Sequence, residues 1–129
     1  MRILLDTHTF LWLVEGDSDQ LSERVQKFLQ DEETIAILSI ASLWELAIKS
    51  SIGKLTLSLP FAEYVQRYIL DAEAEILPML PAHTVAVSHL PFHHRDPFDR
   101  ILIAQSLAEN IPIISRDAVF DDYSVQRIW

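Results

Sequence analysis

Short, wholly apolar runs alternate along this chain with longer stretches in which apolar residues recur every three or four positions. Arg2 to Asp6, reading RILLD, is an apolar run closed by one acid, the pattern of a strand buried on both faces. Thr7 and His8 start a short packed helix through FLWLV, and Gly16-Asp17-Ser18-Asp19 breaks it with a turn. From Leu21, the spacing Leu21, Val25, Phe28, Leu29 marks one face of a helix, with Glu23, Arg24, Gln26 and Lys27 left for solvent. Ile35 to Leu38 is a second strand. Ser39-Ile40-Ala41-Ser42 then introduces the helix LWELAIKSSIG, which Gly53 can close. After an extended link at Leu55 to Leu59, Pro60 opens a helix whose face is Phe61, Val65, Tyr68 and Ile69. Glu75 to Leu80 is a third strand cut by Pro78, and Pro81 to Leu90 a short helix ending at Pro91. A helix from Pro97 ends at Asn110-Ile111-Pro112, Ile113-Ile114 is a fourth strand, and Tyr123 to Trp129 supplies an edge strand. In that last segment Val125, Arg127 and Trp129 alternate against Gln126 and Ile128.

Strands alternating with helices predict an α/β fold, a mainly parallel sheet covered on both faces. The 129 residues, half of them apolar, suffice for one sizeable core, so residues 1–129 are expected to form a single domain. No apolar run reaches eighteen residues and no basic leader precedes the first strand, so neither a membrane span nor a signal peptide is expected. With no cysteine, disulfides and thiolate metal sites are excluded, and a cytoplasmic protein is the expectation. The net charge of -9 argues against charge-driven binding of nucleic acid through a basic surface. An acidic protein still acts on phosphates if its acids hold divalent cations.

Candidate chemistry concentrates in His93 to Gln105, HHRDPFDRILIAQ. Asp96 is a good helix N-cap, Pro97 suits the first helical position, and Asp99 falls in the first turn, where the helix dipole favours negative charge. Asp99 is the less constrained of the two acids and the better candidate for chemistry, with Asp96 as its neighbour. Glu45 stands alone among Leu43, Trp44, Leu46, Ala47 and Ile48, so a helix packed on a sheet brings it near the core, where it needs a cation or metal. Its plainer alternative is an exposed i,i+4 pair with Lys49. Asp6 and Asp117 each follow a buried strand, at the edge where open α/β sheets place their sites. His83 and His89 read as surface or core-edge residues, and His93 and His94 as solvated loop residues. Phe10, Trp12 and Trp44 read as core packing, with binding of a partner helix as the alternative.

Four like-charged carboxylates brought together are destabilising unless a divalent cation neutralises them. Oxygen ligands, with no cysteine and no well-spaced histidine pair, suit Mg²⁺ or Mn²⁺ rather than zinc. One or two such ions lower the pKa of a water and stabilise the attacking and leaving oxygens of a phosphodiester hydrolysis.

LLDTH at Leu4 to His8, SLWELAIK at Ser42 to Lys49, HRDPFDRILIAQ at His94 to Gln105 and SRD at Ser115 to Asp117 resemble the four acidic motifs of the PIN domain family. More narrowly they resemble the VapC toxins of type II toxin–antitoxin systems. The resemblance runs from the first strand to the last. It implies a three-layer α/β/α sandwich and a metal-dependent ribonuclease cleaving structured RNA such as tRNA or rRNA. It also implies a homodimer, inhibited by a cognate VapB-like antitoxin whose C-terminal segment occupies the acidic cleft. The family's catalytic and metal-binding acids fall on Asp6, Glu45, Asp99 and Asp117, with Mg²⁺ (or Mn²⁺) as cofactor and Asp96 as a further acid or cap. Ser115 stands where the family usually has threonine and can still hydrogen-bond a carboxylate. Arg95, Arg100 and Arg116 lie beside these acids, to orient them or to meet RNA phosphate, with surface ion pairing as the alternative, and contact with RNA is likewise the alternative to solvation for His93 and His94. The other readings are a PIN scaffold that has lost catalysis, a DNA-directed nuclease, and a phospho-acceptor receiver domain. The receiver reading fits poorly, because the chain has a lone Asp6 where such domains carry two acids.

Overall fold

A computed structural model describes residues 1–129. Five strands, β1 (Arg2–Leu5), β2 (Ile35–Ser39), β3 (Glu75–Leu77), β4 (Ile113–Ile114) and β5 (Arg127–Ile128), form one sheet in the order β3-β2-β1-β4-β5. Every pairing is parallel, so the sheet is wholly rather than mainly parallel. Six helices connect and cover it: α1 (Thr7–Val14), α2 (Glu23–Gln30), α3 (Ile40–Ser51), α4 (Phe61–Val65), α5 (Pro81–Ser88) and α6 (Pro97–Glu109). A π-helical turn at Gln66–Leu70 extends α4, and 3₁₀ turns lie at Ser18–Gln20 and Ala118–Asp122.

Alternation along the strands divides the core. Ile3 and Leu5 of β1, Leu38 of β2, Ile114 of β4 and Ile128 of β5 face one side, packed with Phe10, Leu21, Val25, Leu46 and Tyr64. Leu4 and Ile37 face the other, packed with Leu102 and Ile103 of α6 and with Phe120 and Tyr123. The central sheet is therefore sandwiched between two helical layers, because its inner strands β1, β2 and β4 bury apolar residues on both faces.

Local signals set most boundaries. The Ser22 Oγ accepts from the Val25 amide and opens α2, and the Asp96 Oδ1 accepts from the Phe98 and Asp99 amides and opens α6. Gly53, at φ +74°, follows the end of α3, and Asn110, at φ +52°, ends α6 in the left-handed conformation that satisfies orphan carbonyls. Three expectations need correction. The third helix starts at Ile40, because Ser39 is already its cap through the Ala41 amide. The C-terminal strand shrinks to Arg127–Ile128, because residues 123–125 turn and bend as they leave the 3₁₀ turn that buries Phe120. His83 is no surface or core-edge residue but fully buried on α5, its Nδ1 accepting from the Leu80 amide and its Nε2 lying 2.7 Å from Glu109.

Candidate active site

The strand order places the ends of β1 and β4 side by side at the centre of the sheet, with the chain leaving them in different directions. This is the switch-point crevice in which open α/β sheets hold ligands. Leu5 pairs with Ile114, so the next residues, Asp6 and Ser115, emerge together. Asp6 is the N-cap of α1, its Oδ1 accepting from the Thr9 amide at 2.8 Å. Asp117 is likewise a cap, accepting from Val119 at 3.0 Å. Each capping carboxylate spends one oxygen on an amide and turns toward the crevice: Asp6 also meets Ser115, and the Oδ2 of Asp117 meets His94 at 3.0 Å.

Asp6, Asp99 and Asp117 line one cleft of about 350 Å³, together with His8, Trp12 and Arg116. Glu45 lies behind it, 4% exposed, bonded to the Thr7 hydroxyl at 2.6 Å and to Lys49 at 2.6 Å. The buried reading of Glu45 holds and the exposed one does not: the cation it needs is the i,i+4 lysine, which reaches from the rim to a glutamate already buried. Asp96 is occupied by the two amides at the start of α6.

Electrostatics mark the cleft as crowded with negative charge. The carboxyl of Asp99 is pushed up to about 7, first by burial, then by the charge of Asp96, with Asp6 and Glu45 adding to it and His94 opposing. Asp6 is raised as well, by burial, against hydrogen bonds from Ser115 and Thr9. Lys49 is raised by its bond to Glu45. Such a set of buried and half-buried acids, unevenly compensated, is a donor set that suits a hard divalent cation.

The arginines and histidines fall differently from the expectation. Arg100 is buried and touches neither the acids nor the cleft. Its guanidinium donates to the carbonyls of Pro91 (2.8 Å), Leu90 (3.3 Å), Val87 (3.4 Å) and His94 (3.4 Å) and stacks 4.1 Å from the Phe92 ring centroid, so it ties down the loop before α6. Arg116 lines the cleft, lies over Trp12 at 5.9 Å and touches Gln20 at 3.5 Å rather than an acid. Arg95 is exposed. His94 was read as solvated, yet its Nε2 lies 2.9 Å from Asp99 Oδ2 and 3.0 Å from Asp117 Oδ2. The acid set therefore includes a nitrogen neighbour, not oxygens alone. The signal that could have found it is spacing: a histidine two residues before a capping aspartate can bond the cap's amide and turn its far nitrogen into the site. Among the aromatics, Phe10 is core, Trp12 is at the rim, and Trp44 is 58% exposed, edge-on to Phe98.

A family model described as PIN domain matches residues 3–126. The chain belongs to the PIN domain family. None of the curated proteins matches it in sequence. Among solved structures, the fold of this PIN domain chain is similar to one in VapBC2 from Rickettsia felis, a complex bound to a DNA fragment from its promoter. That chain is 17% identical at a TM-score of 0.70, with 99% of this chain and 98% of that chain covered. FitAcB from Neisseria gonorrhoeae gives 21% identity and a TM-score of 0.68, covering 98% and 96%. VapBC-1 from nontypeable Haemophilus influenzae gives 18% and 0.65, covering 99% and 97%. The receiver-domain reading falls here, since the strand order 3-2-1-4-5 differs from the 2-1-3-4-5 of that fold.

Proposed function

We propose that this PIN domain chain is the toxin of a VapBC-like toxin–antitoxin pair, a cytoplasmic single-domain endoribonuclease that hydrolyses RNA phosphodiester bonds, in tRNA or rRNA, with Mg²⁺ or Mn²⁺. The observation that carries this reading is the convergence of Asp6, Asp99 and Asp117 on one cleft, with Asp99 pushed up to about 7 by burial and like charge. Asp6, Asp99 and Asp117 are the residues that hold the cation, with Glu45 as the acid behind them. A divalent cation held there would neutralise these acids and would supply an activated water for phosphodiester hydrolysis. Asp6 and Asp117 are oriented by their caps, Asp6 further by Ser115, and Arg116 at the rim offers a cation to the RNA backbone.

An acidic cleft accepts an arginine or lysine from a partner as readily as a metal, which supports inhibition by an antitoxin segment laid across it. The names of the similar structures, VapBC and FitAB-type complexes, support the same partner. A homodimer is part of the same reading, resting on the family resemblance alone.

The test is cleavage of labelled tRNA and rRNA by purified protein with Mg²⁺, Mn²⁺ or EDTA, beside Asp6→Asn and Asp99→Asn. Asparagine keeps the cap at position 6, so the fold survives the change. Discrete fragments are expected from the wild type, lost with EDTA and reduced at least about 100-fold in each variant. Equal fragments from all three proteins would sink the assignment. Absence of cleavage by every sample, once copurifying antitoxin is ruled out, would favour a binding scaffold.

A further inference from the structure

The loop between α5 and α6 carries His94, and the structure holds this residue at every polar atom. Its amide donates to the Tyr123 hydroxyl at 2.8 Å, and its carbonyl accepts from Arg100 at 3.4 Å. Tyr123 in turn donates to the Pro91 carbonyl at 2.8 Å, so the loop is pinned from two sides. The ring stands edge-on to Phe120, centroids 5.9 Å apart, which fixes its plane.

The ring nitrogens have opposite duties. Nδ1 lies 3.2 Å from the Asp96 amide. A backbone amide can only donate, so Nδ1 accepts and the ring carries its proton on Nε2. That Nε2–H donates to Asp117 Oδ2 at 3.0 Å, and Asp99 Oδ2 lies 2.9 Å from the same nitrogen as a close contact without hydrogen-bond geometry. A metal-ligating histidine has the reverse polarity: it turns a lone pair to the ion and donates its other N–H to a carbonyl or carboxylate. Reversing His94 would set two donors, Nδ1–H and the Asp96 N–H, against each other.

We propose that His94 is the positioning residue of the acidic cleft: its Nε2–H holds Asp117 Oδ2 by a hydrogen bond and keeps Asp99 Oδ2 beside it by close contact, so that both carboxylates are placed for divalent-cation binding, and its ring is not a ligand. The proposal rests on the metal-centre reading above and adds to it an assignment that the four acids alone do not contain. Arg100, which meets the loop's carbonyls, serves the same purpose one step further out. His94 also lessens the repulsion between the two carboxylates it bridges, while leaving their other oxygens uncommitted to it.

Mn²⁺ binding followed by electron paramagnetic resonance, with pulsed detection of ¹⁴N coupling, tests this directly. The wild type is expected to bind Mn²⁺ without imidazole coupling. His94→Ala is expected to weaken binding about 10- to 100-fold, as loss of an outer-shell partner does. His94→Gln, whose amide N–H stands near the place of Nε2, is expected to recover most of that loss, and His94→Asn, which is one bond shorter, is not. Melting temperatures of the three variants, alike in metal-free buffer, separate positioning from folding. Imidazole coupling in the wild type that vanishes in His94→Ala would make His94 a ligand and overturn the proposal. Equal Mn²⁺ affinity in wild type and His94→Ala, or no recovery in His94→Gln, would overturn it too. A wild type that binds no Mn²⁺ would remove the metal-centre reading itself, a failure distinct from the other three.

Discussion

The two ends of α6 carry the same device with opposite results. At its C-terminal end His83 accepts the Leu80 amide on Nδ1 and meets Glu109 with Nε2 at 2.7 Å. At its N-terminal end His94 accepts the Asp96 amide on Nδ1 and meets Asp99 and Asp117 with Nε2. One histidine serves one carboxylate in the first case and two in the second, with Asp6 and Glu45 adding their charge to Asp99. The first end, where one ring N–H meets one carboxylate that is one-third exposed and so partly hydrated, is the balanced one, a structural tie between α5 and α6. The unbalanced end retains uncompensated negative charge, and that surplus is what gives a cation something to bind. Hydrogen-bond geometry alone does not separate a tie from a site; the count of charges around it does.

Truncating each histidine should break the comparison most visibly. His83 is fully buried, so His83→Ala leaves a cavity and an unpaired Leu80 amide and is expected to cost about 3 kcal/mol in urea unfolding. His94→Ala, at the wetter end, is expected to cost about 1 kcal/mol or less while its effect appears in metal binding. Equal destabilisation by the two would mean that His94 is also a packing residue.

The charge surplus gives a smaller effect with a definite sign. Asp99 ordinarily titrates near 3.8 and in the fold near 7, so between about pH 4 and 7 the folded chain binds more protons than the unfolded one. Stability in metal-free buffer should therefore fall as pH rises through that window and level off above it. Asp99→Asn removes the burden and should be more stable than the wild type at pH 8, by on the order of 2 kcal/mol, with no gain at pH 4. Asp6, raised in the same direction, leaves a residual slope. Thermal unfolding of both proteins across pH 4 to 8 measures the difference, and a wild type that gains stability toward pH 8 would contradict the crowding.

What could be read in the sequence was what neighbours along the chain decide. The apolar runs of β1 and β2, the Asp96-Pro97 start of α6, the Gly53 stop and the improbable burial of Glu45 all follow from residues within a turn or two. Asp6 and Asp117 were legible as strand-end acids but not as caps: for Asp6 the helix start at Thr7 was in view and its cap was not drawn from it, and the 3₁₀ turn after Asp117 has no apolar period to announce it. Arg100 was misread because its neighbours in sequence are acids, while its partners in space are four carbonyls of the preceding segment. His94 was misread because it meets Asp117 across 23 residues, a contact that only the sheet order creates.

The gentlest test changes a charge and keeps a hydrogen bond at the balanced end. In Glu109→Gln the amide oxygen can still accept from His83 Nε2–H, and the side chain is one-third exposed, so the loss should stay under about 1 kcal/mol. RNA cleavage and Mn²⁺ affinity should not move, since Glu109 is at the far end of α6 from the cleft. The matching change at the other end, Asp99→Asn, is also isosteric and is expected to raise stability while abolishing cleavage. Opposite signs from two like substitutions on one helix would locate the function in the charge surplus. A large loss in Glu109→Gln would instead show that the His83 tie is itself ionic, and that both ends of α6 depend on charge.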